Sequence, residues 1–178
     1  MAETKDWVFI FPIIAAAVLL ISLLFPIMAV RIFYSGIIDP AIVGDLSPFG
    51  GGIMDELAPY LLLVPDLSSL QTGFLWIGIA FAIFFILGAL LLIISGIRVK
   101  TGNKELKKAR RKWLRNGISY IVTELILFFS LAYGVQFGLE QLGLSGIEVN
   151  FFMRTGMFLI IGAGGILILA YILAKAAG

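Results

Sequence analysis

The chain contains no cysteine and no histidine. Disulfides, thiol nucleophiles, histidine-ligated haem and most zinc sites are thereby excluded. So is any Ser–His–Asp or Cys–His catalytic set. Charge is scarce as well: 13% of the residues are charged, against about 25% in an ordinary soluble domain. Side-chain amides are limited to Asn103, Asn116, Asn150, Gln71, Gln136 and Gln141. A sequence poor in such thermolabile groups hints at a thermophilic source.

What is present is apolar. Of the 178 residues 61% are hydrophobic, and the mean hydropathy is +1.08. A core of this size cannot hide so much apolar surface, so the excess is expected to face lipid. Crossing about 30 Å of hydrocarbon takes roughly 20 apolar residues. Four stretches meet that requirement. Trp7–Val30, Thr72–Ile97 and Thr155–Ala174 carry no charge, and Gly117–Leu139 carries only Glu124. Within lipid each backbone group must be satisfied inside its own segment, so helices are expected. The first stretch exceeds the roughly 7–15 apolar residues of a signal peptide and reads as a retained helix.

Orientation follows from the bases. The segment 98–116 holds nine of the thirteen Lys and Arg residues, and short basic loops stay cytoplasmic. Four spans then place both termini on that side, and the plasma membrane is the expected location. The opposite segments hold seven acids, Asp39, Asp45, Asp55, Glu56, Asp66, Glu140 and Glu148, against Arg31 and Arg154. Orientation accounts for the basic segment, so no nucleic-acid partner is expected. Residues 104–115 would lie near anionic lipids of the inner leaflet, either as a surface helix or as the start of the third span with its bases snorkelling.

The predicted architecture is all-α: one membrane domain over 1–178, with four transmembrane helices in a bundle at about 7–30, 69–97, 117–139 and 152–174. An ordered outer cap over 31–68 sits in the long connection 31–71. That connection is too apolar for disorder. A short helix is expected from Ile53, with Asp55 and Glu56 in its first turn and Pro59 limiting it. The three glycines at 50–52 permit a turn or a re-entrant dip, the latter only if protein shields the backbone. "SSLQ" at 68–71 resembles a capping box, with Ser68 as N-cap of the second span. Pro26 is expected to kink the first span.

Glu124 is the main polar candidate. It lies roughly 10 Å inside the third span at 1.5 Å per residue, where an ionisable group is costly and often functional. Tyr120 and Thr123 are placed to bond it. Its possible roles are a hydrogen bond to a neighbouring helix or a partner subunit, proton or ion transfer, and catalysis. Arg31 and Arg154 sit at the outer boundary, where they would anchor the interface and pair with cap acids such as Asp55 and Glu56, or hold an anionic lipid or quinone-like head group. The acids match no EF-hand spacing, and no metal is expected. Gly78 and Ala82, Gly134 and Gly138, and the glycines Gly162, Gly164 and Gly165 are candidate packing positions between helices. The "GAGG" at 162–165 follows no strand and is no dinucleotide fingerprint.

Four spans, inner termini and a long first outer loop resemble the topology of claudin-like tetraspans. The Gly-Leu-Trp and paired cysteines of that family's first loop are missing; "GFLW" at 73–76 falls within the second span. No residue role is carried over. The expected function is non-enzymatic: an accessory or structural subunit of a membrane complex, or a self-associating tetraspan, with other membrane subunits and membrane lipids as partners. No cofactor beyond a bound lipid is expected. The alternatives are a small ion channel or proton-coupled transporter using Glu124, and a lipid- or quinone-binding subunit.

Overall fold

The structure is a computed structural model that describes residues 7–34, 42–46, 67–102, 105–141 and 146–176. Its elements in chain order are α1 (Ile10–Ser22), β1 (Met28–Tyr34), β2 (Ile42–Leu46), α2 (Leu67–Lys100), α3 (Leu106–Gln141), β3 (Ile147–Met153) and α4 (Thr155–Ala176). The chain divides into two compact units. One comprises Met1–Ser22, Ile83–Glu124 and Phe158–Gly178, the other Leu23–Ala82 and Leu125–Met157.

Among the described residues three helices are long and apolar enough to cross a membrane: Gly78–Lys100, Leu106–Gly138 and Thr155–Ala176. The first expected span, 7–30, differs. Its helix stops at Ser22 after 13 residues, about 20 Å at 1.5 Å per residue, which falls short of the hydrocarbon thickness. The Ser22 hydroxyl donates to the Leu19 carbonyl at 2.6 Å, a local bond that competes with helix continuation. Pro26 lacks an N–H and disfavours helix in the residue before it. Beyond it, Met28–Tyr34 contains β-branched and aromatic residues suited to a strand.

The strands depart from the expected all-α architecture. They form an antiparallel sheet in the order β2-β1-β3. Met28 pairs with Leu46 on one side and Met153 on the other, and Arg31 pairs with Val43 and Asn150. Alternation puts Met28, Val149, Phe151 and Met153 on one face. Ala29, Arg31, Asp45, Glu148, Asn150 and Phe152 fall on the other. Phe33, paired with Glu148, shares that second face, so the sheet separates an apolar face from a mixed one that carries its charged residues. β3 also takes over residues 152 and 153 from the expected fourth span, so α4 begins at Thr155.

The α4 N-terminus is tied to the chain that leaves α1. The Arg154 N–H donates to the Ile27 carbonyl and the Gly156 N–H to the Pro26 carbonyl, both at 2.9 Å. Backbone donors at a helix start have no partner within their own helix, and here carbonyls just before β1 supply them. The Val149 N–H of β3 reaches the Gln136 side-chain oxygen on α3 at 3.4 Å.

In the helical unit the buried side chains include Ala15, Ala16 and Leu19 of α1, Phe85, Ala89 and Leu92 of α2, Ala109 and Trp113 of α3, and Ile160, Ala163, Leu167 and Ala170 of α4. Four glycines let these helices approach closely. A Cβ at Gly117 would lie 2.6 Å from the Gly164 carbonyl oxygen, and one at Gly164 would lie 2.8 Å from that of Gly117. A Cβ at Gly96 would lie 2.9 Å from the Phe9 carbonyl oxygen, and Gly88 receives the Tyr120 hydroxyl.

Two boundaries shift from expectation. α2 begins at Leu67, so Ser68 lies within the helix rather than capping it. α3 runs unbroken from Leu106 to Gln141; the basic stretch is the first part of the third helix, not a separate surface helix. Between α2 and α3 the chain turns at Gly102, whose φ of 73° lies in the left-handed region that favours glycine. The expected helix from Ile53 lies outside the described residues, as does the possible re-entrant dip over 44–66 apart from residues 44–46, which belong to β2.

Candidate functional site: a buried carboxyl and a basic cavity

Ala109, Trp113, Gly117, Tyr120 and Glu124 recur along α3 at intervals of four, four, three and four, which places them on one helix face. All five are buried, and Glu124 and Trp113 are 0% exposed. Glu124 therefore projects from the packed side of α3 and not from its exposed face. Neither carboxyl oxygen has a hydrogen-bond partner among the described residues. Tyr120 does not serve it: its ring packs edge-on to Phe84 at 6.2 Å and tilted against Phe85 at 5.9 Å, with its hydroxyl on Gly88. Thr123, half-buried next to it, does not serve it either. The helix turn expected to satisfy the carboxyl directs the Tyr120 hydroxyl to α2 instead.

A lone carboxyl can bind and release a proton. More elaborate chemistry needs further groups, and no cluster of three or more His, Cys, Asp or Glu occurs among the described residues.

The two boundary arginines have different surroundings. The Arg154 Nε donates to Asp45 Oδ1 at 3.0 Å, a half-exposed ion pair. The Arg31 guanidinium lies over the Phe152 ring at 5.0 Å. Asn150 donates to Glu148 Oε1 at 3.0 Å nearby on the same sheet face. Asp55 and Glu56 lie outside the described residues. Among the packing candidates, Ala82 and Gly164 are buried and Gly78 is half-buried. Around Gly134, Gly138, Gly162 and Gly165 no described residue beyond the glycine's own stretch of helix would meet an added Cβ within 4 Å. The close approaches occur instead at Gly88, Gly96, Gly117 and Gly164.

No family model, curated protein or solved structure matches this chain. Its function must accordingly be read from its own geometry.

Sequence reasoning did not single out a second feature. At the basic end of α2 and α3 a cavity of about 190 Å³ is lined by Arg98 from α2 and Lys112, Arg115 and Asn116 from α3. Its back wall is Trp113, whose Nε1–H donates to the Ser95 Oγ at 3.1 Å. Both Ser95 and Trp113 are buried. The count of bases in 98–116 was visible in the sequence, but their convergence depends on α3 packing back against α2. Two further contacts bring chain ends to this basic end. The Lys100 ammonium lies 5.1 Å from the centre of the Phe9 ring, and Arg110 donates to the Ala174 carbonyl at 3.2 Å.

Proposed function

We propose that this protein is a non-enzymatic membrane subunit that acts through helix contacts with other membrane proteins or with further copies of itself. The observation that carries this reading is the bare surface of α3. Only 11% of its most apolar stretch is buried within the chain, against 39% for α4. On its C-terminal half the Phe129 and Tyr133 rings stack at 6.1 Å and 17°, and Tyr133 is 72% exposed. Gly134 and Gly138 lie open beside them. Helix association in lipid relies on close packing at small residues, because apolar side chains gain nothing there by leaving water.

A photo-crosslinking residue at position 133 of the full-length protein in its native membrane tests this. The expected result is a discrete crosslinked species that Gly134→Leu abolishes. A protein that remains an uncrosslinked monomer, or whose crosslinks are unchanged by Gly134→Leu, refutes the contact role.

The orientation we propose puts residues 98–116 and both termini in the cytoplasm, in the plasma membrane. The start of α1 and the end of α4 both reach the basic end through Phe9 and Ala174, in keeping with termini on one side. Basic segments favour the cytoplasmic side.

The buried, unpartnered carboxyl of Glu124 favours a second reading, a small channel or proton-coupled transporter. Proton flux into liposomes containing the protein should then fall at least tenfold in Glu124→Gln. Equal flux in the two, or none in the parent, removes this alternative. At Arg154 and Arg31, the candidate positions for a lipid or quinone head group, Asp45 and Phe152 already engage the guanidinium groups.

A further inference from the structure

We propose that the cavity between the basic ends of α2 and α3 binds the phosphate of an anionic membrane phospholipid, with the acyl chains running along the exposed side of α2. This inference is separate from the contact role assigned to α3.

Three observations support it. First, the cavity is cationic. Arg98, Lys112 and Arg115 all line it, no acid does, and among the described residues none of the three forms an ion pair. The nearest acid along the chain, Glu105, is engaged by Lys108 at 3.4 Å. Arginine presents a planar fork of donors suited to phosphate oxygens, and lysine adds a point charge. Arg98 is in the last turn of α2, where the helix dipole contributes roughly half a negative charge. Three full cations outweigh it.

Second, the size is right for a head-group phosphate. The volume of about 190 Å³ far exceeds the roughly 10–15 Å³ needed for one water. It can take a phosphoryl group with bound water but not a whole lipid. The Trp113–Ser95 hydrogen bond fixes its inner wall, and Asn116 adds an amide that can donate to an oxygen.

Third, the cavity opens onto a lipid-compatible surface. Leu91 and Ile94 line it too, and they are 63% and 45% exposed. A soluble phosphate would leave these apolar side chains uncovered, whereas acyl chains would cover them. The shared ligand chemistry is a phosphate ester; the apolar margin selects the lipid as its source. Basic pockets between membrane helices suit anionic head groups for these electrostatic reasons.

The test uses the full-length protein in nanodiscs of phosphatidylcholine with and without phosphatidylglycerol, with retained lipid counted by native mass spectrometry. Inorganic phosphate alone forms a separate arm, read by thermal shift. Two charge-matched variants are compared. Arg98→Gln/Arg115→Gln removes cavity cations. Lys107→Gln/Arg111→Gln removes the same charge from exposed positions of α3 outside the cavity.

The expected result is retained phosphatidylglycerol in the parent and in the control variant. The cavity variant should lose it by on the order of fivefold per cation. Inorganic phosphate should give no comparable stabilisation. Equal loss in both variants would mean diffuse surface attraction and overturns the site. Equal retention of phosphatidylcholine overturns the anionic specificity, and a matching response to inorganic phosphate overturns the lipid assignment. A cavity variant that unfolds, seen as loss of helical circular dichroism, is replaced by Arg98→Lys/Arg115→Lys. These substitutions keep the charge but not the fork, and should retain phosphatidylglycerol more weakly than the parent; retention equal to the parent overturns the arginine-based geometry.

Discussion

Gly117 and Gly164 provide a sharp test of the helix packing, because the same substitution should have opposite signs at neighbouring glycines. Replacing glycine by alanine within a helix is worth about 1 kcal/mol in intrinsic propensity. At Gly165 and Gly162 no described residue beyond their own stretch of α4 lies within 4 Å of the new methyl carbon, so Gly165→Ala and Gly162→Ala should be neutral or stabilising by up to about 1 kcal/mol. At Gly117 the methyl carbon would sit 2.6 Å from the Gly164 carbonyl oxygen and 3.1 Å from the Leu167 Cβ. Backbone cannot swing aside as a side-chain tip can, so the helices must separate by several tenths of an ångström. Overpacking of this kind costs about 1–3 kcal/mol. The close approach also lets each glycine present a Cα hydrogen to the other's carbonyl, and a lost contact of that type costs about 0.5–1 kcal/mol. Set against the propensity gain, Gly117→Ala should destabilise by about 0.5–3 kcal/mol.

Gly164→Ala should behave similarly, since its methyl would lie 2.7 Å from the Ile121 Cγ1 and 2.8 Å from the Gly117 oxygen. The double variant should cost less than the sum, because both substitutions disrupt one contact. The assay is reversible unfolding in mixed micelles, followed by helical circular dichroism. If Gly117→Ala and Gly164→Ala proved as stable as Gly165→Ala, the crossing of α3 and α4 would not be the one described.

Glu124 gives a second prediction. An unpartnered buried polar group costs stability, so Glu124→Met should stabilise the protein by about 1–3 kcal/mol in the same assay; a loss above 1 kcal/mol would reveal a partner for the carboxyl. Ser95→Ala should strand the Trp113 indole N–H in the buried wall and cost about 1–3 kcal/mol, with a shift in the indole N–H Raman band. An unshifted band would refute that hydrogen bond. Asp45→Asn breaks a half-exposed ion pair and should cost less than about 1 kcal/mol. That difference should shrink between 0.05 and 0.5 M salt on the order of the shortened screening length; a salt-independent loss would contradict the pair's exposure.

The three long helices were legible because lipid imposes a crude rule, an apolar run of sufficient length: those of α2 and α4 carry no charge and that of α3 carries only Glu124. The strands were less visible. "IEVNF" at 147–151 alternates apolar and polar residues, a period-two signal, but it is short beside the apolar run that follows, and only Phe152 and Met153 of the strand fall within the expected fourth span. Likewise Val30 reads as the end of a helix when only hydropathy is considered. Its strand depends on partners more than a hundred residues away in β3 and on β2, and local pattern carries no such information. The glycine motifs show the same limit. GxxxG spacing marked Gly134 and Gly138, yet the close approaches formed at Gly88, Gly96, Gly117 and Gly164. Spacing says where a backbone can be approached; only the neighbouring helix decides whether it is.

The sequence by itself determined the class of the protein: an apolar, membrane-type helical chain without Cys or His chemistry, its bases gathered in one short segment. Those properties depend on composition and on order along the chain. Tertiary structure decided which face of α3 is packed, that Glu124 lies on it with no hydrogen-bond partner among the described residues, and that Arg98, Lys112 and Arg115 converge on one cavity. Such facts depend on the relative rotation and crossing of helices, set by the meeting of small residues from distant segments.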